Sequence, residues 1–221
     1  MIRHEYINDL ENLRGAVVAM SSMVDKAISR SIESLIRQDV GMAEEVVAAD
    51  REVNKQRWAT EEDALRIIAT QAPMARDLRN IAAAIHIITD LERMGDHAAG
   101  IAKIVIDTAS EPLLKPLVDI PRMAEVARAM LNDAITAYIE ADSEAATRIA
   151  MQDDEVDALY EQIYRELLTY MLADPSTINR ATHLLWVAHN LERIADRVTN
   201  ICERVVFAET GELTEINVST Y

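Results

Sequence analysis

The sequence predicts an all-α protein made of two tandem three-helix bundles. Apolar residues recur every three or four positions through most of the chain, Gly and Pro number only five each, and the second half repeats the spacing and letters of the first. A period near 3.6 residues is typical of amphipathic helices, whereas a loop-rich β fold needs more Gly and Pro. No alternating strand pattern occurs. We therefore expect six long helices related by internal duplication.

The first repeat, residues 1–110, contains three helical patterns. The first pattern covers residues 3–38, with apolar side chains at helical spacing and charged side chains between them. The second covers residues 42–72 and stops before Pro73, because proline pushes the preceding residue out of the helical region. The third covers residues 75–109. Together they predict one antiparallel three-helix unit.

A proline-rich segment separates the two halves. Residues 111–121 contain three of the five prolines and are predicted to be a linker. The second repeat, residues 122–210, again contains three helical patterns. These patterns cover residues 122–140, 143–172 and 178–209. Gly211 fits a helix C-cap, and residues 211–221 lack a helical period, so we expect a flexible tail there.

The two halves match in letters as well as in helix count. The segment Asp90–Asp96, DLERMGD, aligns with Asn190–Asp196, NLERIAD, at a displacement of 100 residues. Upstream, Asp50–Asn54 aligns with Asp153–Asp157 at a displacement of 103 residues. The small drift is expected if only the turns differ in length. The sequence is therefore an internal duplication of a three-helix unit.

Charge and cysteine content restrict the function classes. Lys and Arg total 22 against 38 Asp and Glu, a formal charge of −16, which argues against nucleic-acid partners and anionic membrane surfaces. Cys202 is the single cysteine, so neither an intramolecular disulfide nor a cysteine zinc site can form. No run approaches the roughly 20 apolar residues that span a bilayer, and the start lacks a secretory pattern. We expect a cytoplasmic protein without direct membrane insertion, whose partners are proteins or cations.

Oxygen-bearing side chains come in pairs four residues apart in each repeat. The pairs are Asp50 with Asn54, Glu92 with Asp96, Asp153 with Asp157, and Glu192 with Asp196. Residues at i and i+4 lie on one helical face, and like charges placed so cost roughly 0.2–0.5 kcal/mol. A cation between the carboxylates would offset this repulsion. The spacing therefore predicts positive charge at each pair.

The arms of each predicted hairpin are nearly equal, which brings the pairs to one level. Asp50 and Asp96 each lie 23 residues from Pro73, and Asp153 and Asp196 lie 22 and 21 residues from Pro175. Hard or borderline cations such as iron, manganese, magnesium or calcium favour such oxygen clusters. We therefore hypothesise one metal site per repeat, the first weakened by Asn54 in place of an acid.

A second interpretation of these acids needs no metal. Helical carboxylates usually face solvent or pair with neighbouring arginines, here Arg51, Arg93, Arg193 and Arg197. Histidines add little, since His97 directly follows Asp96 and points away from it, although His189 could share a face with Glu192. No Glu-x-x-His quartet, HExxH motif or phosphate-binding glycine loop occurs. The residues alone leave metal binding and arginine pairing open.

The repeated Leu-Glu-Arg-Met-Gly-Asp and Leu-Glu-Arg-Ile-Ala-Asp segments resemble the PhoU family of phosphate-signalling regulators. The resemblance extends to about Gly211 and implies spectrin-repeat-like helical bundles. It also implies that the acidic motifs bind multinuclear clusters of iron, zinc, manganese or magnesium. The matching positions are Glu92 and Asp96, Asp153 and Asp157, and Glu192 and Asp196, with Asp50 and Asn54 departing from the motif at its last residue.

The same resemblance implies a non-enzymatic, cytoplasmic negative regulator of the phosphate regulon. Such a protein relays the state of the phosphate ABC transporter, through its ATPase subunit, to a membrane sensor histidine kinase, and it commonly forms homodimers. Two alternatives stay open on the residues. One is a carboxylate-bridged dinuclear metal enzyme in a helical bundle, and the other is a metal-free structural helical scaffold.

Overall fold

Six long helical segments form the protein, as predicted, and the fifth of them is broken into two helices. The computed structural model describes residues 2–217, and within that range it contains helices and no strand. The helices are α1 (Ile2–Arg37), α2 (Val40–Gln71), α3 (Arg76–Thr108), α4 (Asp119–Glu140), α5 (Ser143–Ala150), α6 (Asp153–Ala173) and α7 (Ile178–Thr210). A 3₁₀ turn, Pro175–Thr177, precedes α7. Met1 of the first repeat and residues 218–221 of the predicted tail lie outside the described residues.

Helices α1, α2 and α3 pack against one another as an up-down-up bundle. The chain reverses after α1 at Gln38, whose φ is 51°, and the Asp39 carboxylate accepts a hydrogen bond from the Met42 backbone N–H at 3.0 Å to cap α2. Pro73 follows the end of α2, as predicted. The apolar stripe of α1, which includes the fully buried Met20, faces the other two helices. Helix caps therefore set where the helices of the first repeat begin and end, and the apolar stripe sets which face of α1 is buried.

The predicted single helix over residues 143–172 is two helices. The chain turns at Met151 and Gln152, between α5 and α6. Residues 153–155 are all acidic and form the first turn of α6, where the positive end of the helix dipole stabilises carboxylates. Apolar spacing continues across the break, so periodicity alone does not detect it. The break places Asp153 at the N-terminal end of a helix.

The two repeats share one core. Helices α3 and α7 form the largest interface between elements, and α1 packs against α4. Arg128 in α4 donates two hydrogen bonds of 2.9 Å to the Asp25 carboxylate in α1. Arg197 in α7 lies 3.4 Å from Asp90 in α3. The central α3–α7 pair carries an acidic motif from each repeat, so the two candidate sites are attached to one rigid interface.

The connecting segments are held to the bundles. Lys115, in the proline-rich segment, is buried and pairs with Glu166 of α6. Helix α4 begins at Asp119 and includes Pro121, because proline is tolerated in the first turn of a helix. Gly211 ends α7 in the left-handed region at φ 80°, as the sequence predicts. None of the helices within residues 2–217 is long and apolar enough to cross a membrane.

Candidate metal centres

The second acidic cluster lies where α6 packs against α7. Helix α6 contributes Asp153 and Asp157, and α7 contributes Glu192 and Asp196. Asp153 and Glu192 are only 4% and 3% exposed, although both carry ionisable groups. Carboxylates are almost never buried so deeply without a partner. Two of the four predicted residues of the second repeat are thus buried, whereas Asp157 and Asp196 are half-buried.

Burial and mutual repulsion raise the pKa values of this second cluster. The pKa of Asp153 rises to about 7, first through loss of solvent and then through the charges of Asp157 and Asp196. The pKa of Glu192 also rises to about 7, through loss of solvent and then the charge of Asp196. Loss of solvent is likewise the main cause of the raised pKa values of Asp157 and Asp196. When all four carboxyl groups are ionised, the neighbouring residues and solvent therefore do not fully stabilise the negative charge of the cluster.

The first acidic cluster lies between α2 and α3 and is more exposed. Loss of solvent and then the charge of Asp96 raise the pKa of both Asp50 and Glu92. Asn54 donates from Nδ2 to Asp50 Oδ2 at 3.1 Å, so the amide supports this carboxylate instead of adding a fourth charge. A Cβ at Gly95 would lie 3.4 Å from Asp50 Oδ1, which shows how closely α3 approaches α2 here. Asp50 and Asn54 belong to α2, and Glu92 and Asp96 belong to α3, so the two helices contribute two predicted residues each.

Arginines pair with some of the acids, as the second interpretation expects. Arg193 contacts Glu192 at 2.7 Å and Asp196 at 2.9 Å. Arg93 contacts Glu92 and Asp96 at the longer distances of 3.7 and 3.5 Å. Arg197 pairs with Asp90 rather than with the second cluster, and Arg51 has no ion pair among residues 2–217. Arginines therefore form ion pairs with several of the acids but not with Asp153.

The donor chemistry of both clusters fits a hard or borderline metal ion. Asp50 Oδ1 and Asp153 Oδ1 are buried and accept no hydrogen bond, whereas the buried Glu192 Oε2 lies 2.7 Å from Arg193 Nε. Within residues 2–217, no three His, Cys, Asp or Glu side chains converge closely enough to hold an ion as they stand. Arg193 instead pairs with both Glu192 and Asp196. The residues fit an ion by donor type, but their side chains as they stand do not form an ion-binding geometry.

Two histidines contact the region, and the sequence anticipated one of them. His189 Nδ1 lies 3.6 Å from Glu192 Oε2, on the shared face that its spacing predicts. His97 is directed away from the first cluster, as predicted, but its Nδ1 lies 2.9 Å from Asn190 Oδ1 in the other repeat. The duplication makes His97 equivalent to Arg197 and Asn190 equivalent to Asp90. The His97–Asn190 contact is therefore the counterpart of the Arg197–Asp90 pair. His97 therefore lies beside the second cluster rather than the first.

Cys202 has no catalytic character in this fold. Its side chain is fully buried in α7, and burial raises the pKa of the thiol to about 12. A thiol with so high a pKa carries almost no nucleophilic thiolate near neutral pH.

Comparison with known proteins identifies the family. The model of the PhoU domain matches residues 17–105 and 120–205, one match for each repeat. The phosphate-specific transport system accessory protein PhoU homologue of Clostridium acetobutylicum is 38% identical over 98% of this chain and 100% of its own length. The homologue of the same name from Aquifex aeolicus is 41% identical over 93% of each chain.

Solved structures show the same fold. The crystal structure of PhoU from Pseudomonas aeruginosa superposes with a TM-score of 0.89 at 32% identity, and covers 94% of this chain and 100% of that one. The phosphate transport system regulatory protein PhoU from Streptococcus pneumoniae superposes with a TM-score of 0.88 at 32% identity, over 95% and 99% of the two chains. A duplicated helical unit, matched in each half and over nearly full length, leads to one conclusion: the chain belongs to the PhoU family.

Proposed function

We propose that this chain is a regulatory accessory protein of phosphate-specific transport. The observation that carries the proposal is the near-full-length match to relatives named as accessory proteins of that system. The family model matches both repeats and so includes both acidic clusters. The protein acts by binding other molecules rather than by catalysis.

The finer form of the proposal is a cytoplasmic negative regulator of the phosphate regulon. In phosphate-rich medium it links the ATPase subunit of the phosphate ABC transporter to a membrane sensor histidine kinase, and it functions as a homodimer. Large apolar side chains stand exposed on α2, α6 and α7, among them Trp58, Leu168, Leu172 and Trp186. Exposed apolar side chains on a strongly acidic surface are suited to protein partners.

Metal ions bound at the two clusters complete the proposal. The ligands are Asp50, Asn54, Glu92 and Asp96 in the first repeat, and Asp153, Asp157, Glu192 and Asp196 in the second. Their oxygen-only chemistry suits iron, zinc, manganese or magnesium. Burial, and then mutual repulsion, raises the pKa values of Asp153 and Glu192. A bound cation would offset the repulsion and so stabilise the α6–α7 contact.

A deletion in the native host tests the regulatory role. We expect a phosphate-starvation output such as alkaline phosphatase to switch on in phosphate-rich medium, because the repressing link is lost. The wild-type gene should restore repression. A gene carrying Glu192→Ala and Asp196→Ala should fail to restore it if the second cluster is needed, although the protein accumulates to normal level and keeps its helical circular dichroism.

A matched control carries Asp133→Ala and Glu140→Ala, two exposed carboxylates of α4 that belong to neither cluster. This variant should repress normally. Output that stays off after deletion would contradict the regulatory proposal. Turnover of a phosphate ester or of oxygen by the metal-loaded protein would instead favour the dinuclear enzyme, and absence of bound metal in the purified protein would favour the metal-free scaffold.

A further inference from the structure

A row of aromatic side chains lies along the α6–α7 hairpin. Tyr160 and Tyr164 are four residues apart in α6, so they lie on one face of that helix. Trp186 and His189 are three residues apart in α7 and share a face in the same way. The His189 ring connects the two helices, because its centroid lies 6.3 Å from that of Tyr160 and 5.6 Å from that of Trp186. We call these four side chains the aromatic face.

The aromatic face is open to solvent. Tyr164 is 45% exposed and Trp186 is 55% exposed. Leu168, which is also exposed, follows Tyr164 by one helical turn and extends the apolar surface toward the tip of the hairpin. Contiguous exposed apolar surface of this kind is characteristic of binding sites for other proteins. Trp and Tyr are also the side chains that contribute most to binding energy at the centre of such interfaces.

The first repeat has polar side chains on the equivalent part of its own hairpin. At the displacement of 103 residues, Tyr160 and Tyr164 stand against Arg57 and Glu61. Arg57 and Glu61 form an ion pair of 3.2 Å on the surface of α2. The duplicated helical hairpin therefore folds with a polar pair at these two positions. The two tyrosines are not required by the fold, so a role outside the protein explains them better.

The same comparison separates the aromatic face from other exposed apolar residues. At the displacement of 100 residues, Trp186 stands against the exposed His86. Leu168 stands against Leu65, which is exposed as well, so this leucine is common to both repeats. Trp58 of the first repeat follows Arg57 directly and is therefore turned by roughly 100° around α2 from the equivalent of Tyr160. The first repeat thus has an exposed tryptophan but no aromatic face.

The helices that carry the aromatic face are acidic. Helix α6 contains six Asp or Glu residues and one Arg, and α7 contains four of each. Arg165 of α6 pairs with Glu161, and Arg193 of α7 pairs with Glu192 and Asp196, so these two bases are already engaged. The hairpin keeps an excess of carboxylates in a chain whose formal charge is −16. This surroundings favours a positively charged binding partner.

A basic amphipathic helix has the chemistry that fits this surface. Its apolar side chains would pack on Leu168 and Trp186, as in other cases where a helix binds an exposed apolar surface. Its Arg or Lys side chains would lie over the faces of Trp186 and Tyr164, which attract cations. A second copy of this chain is a poorer fit, because it would bring the same acidic helices together and their like charges repel.

We propose that the aromatic face is a docking site for a basic amphipathic helix of a partner protein. This inference rests on the partner-binding part of the proposed function. It adds the location of the surface, in the second repeat alone, and the chemistry of the segment that binds there.

Peptide titrations with the full chain test the inference. The probe is a fluorescein-labelled helical peptide in which Leu and Ala form one face and Arg the other, and its partner peptide carries Glu in place of Arg. Fluorescence anisotropy should show binding of the Arg peptide and none of the Glu peptide. Tyr164→Ser with Trp186→Ser should weaken binding of the Arg peptide roughly 10-fold or more, the effect expected when aromatic anchors are removed.

Two further variants control for folding and for general attraction to an acidic protein. Trp186→His introduces the residue that the first repeat carries at the equivalent position, so the fold tolerates it, and it should still weaken peptide binding. Trp58→Ser removes an exposed tryptophan outside the aromatic face and should leave peptide affinity unchanged. Both variants should keep the helical circular dichroism of the wild type.

The deletion strain tests the same surface with the natural partners. Tyr164→Ser with Trp186→Ser should fail to restore repression of alkaline phosphatase, whereas Trp58→Ser should restore it. Full repression by the double variant, or wild-type affinity of that variant for the Arg peptide, would overturn the inference and leave the regulatory proposal standing. Loss of self-association of the double variant in sedimentation, without loss of peptide binding, would also overturn it by assigning the face to a second copy.

Failure of the regulatory proposal would look different. Output that stays off after deletion would contradict that proposal by itself. The peptide titrations would still decide whether the aromatic face binds a basic helix, because they need no cellular partner.

Discussion

Single buried carboxylates are the most informative residues of this chain. Asp153 and Glu192 lie in the α6–α7 contact with less than a twentieth of their surface exposed, and burial raises both pKa values to about 7. Ionising these buried groups destabilises the folded state, whereas the same groups are solvated in the unfolded chain. Such strain is characteristic of functional sites, because selection for stability by itself would replace the acid.

The pH dependence of stability follows from these two residues. Their ordinary pKa values near 4 apply in the unfolded chain, so between about pH 4 and pH 7 the folded protein binds more protons than the unfolded one. The free energy of unfolding of the metal-free protein should therefore fall as pH rises through this range. Asp153→Asn should flatten the slope and raise the urea midpoint at neutral pH.

Urea titrations in a chelating buffer at acidic and neutral pH measure this effect. Asp133→Asn, an exposed change of the same type, should leave the slope as it is in wild type. Added Mn²⁺ should reverse the trend, because a metal ion binds the deprotonated carboxylates and its affinity rises with pH. A wild-type midpoint that rises steadily from acid to neutral pH without metal would contradict the buried charge of Asp153.

At the scale of the elements, the turns between helices carry most of the local strain. Within the described chain, four residues other than glycine have positive φ: Gln38, Ala72, Ala75 and Ala141. All four lie at turns between consecutive helices. Ala141 ends α4 in the left-handed region at φ 59°, and Asp142 then caps α5 by accepting from the Ala145 backbone N–H at 2.8 Å. The chain thus reverses direction here within two residues.

Replacing Ala141 by glycine should stabilise the protein. A left-handed conformation costs roughly 1–2 kcal/mol for a residue with a Cβ, and glycine avoids most of that cost. After the loss of chain entropy, we expect the free energy of unfolding to rise by roughly 0.5–1 kcal/mol. Ala129→Gly, the same change at an exposed position inside α4, should lower it by about 1 kcal/mol. Urea denaturation that gave both variants the same sign would contradict the backbone geometry at Ala141.

At the scale of the whole molecule, the two repeats are distinct in sequence but share a single hydrophobic core. The hydrophobic core runs through all seven helices, and α3 and α7 meet along its centre. The pairs Asp25–Arg128 and Asp90–Arg197 each join one repeat to the other. Separating the repeats would expose the apolar face of α3, so we expect the whole chain to unfold cooperatively.

The two tryptophans test this cooperativity, because one lies in each repeat. Trp58 belongs to α2 and Trp186 to α7, and either can be changed to Phe to leave a single fluorescent probe. Both probes should report one unfolding midpoint. Met20→Ala, in the fully buried core of α1, should cost about 3 kcal/mol and shift both midpoints equally. A shift confined to the Trp58 probe would mean that the repeats unfold independently.

The sequence determined the helical class, the duplication and most helix ends. Apolar spacing specifies which face of a helix is buried. Pro73, Asp39 and Gly211 end or begin helices through local backbone geometry. Both kinds of signal can be read without knowing which distant residues come into contact. The acidic pairs could also be found, because their spacing and the equal hairpin arms are local properties. Pattern alone missed the break between α5 and α6, where the apolar period continues through the turn.

Tertiary structure decided what surrounds each cluster. Helix–helix packing buries Asp153 and Glu192 while leaving the first cluster more exposed, and it brings His97 beside the opposite repeat. It also places Glu203 in a cavity lined by Asp153, Asp196, Arg193 and Arg197. Burial and long-range charge depend on residues far apart in the chain. Their effect on the carboxyl pKa values therefore arises only when α6 and α7 are packed together, since desolvation and distance set the strength of an electrostatic interaction.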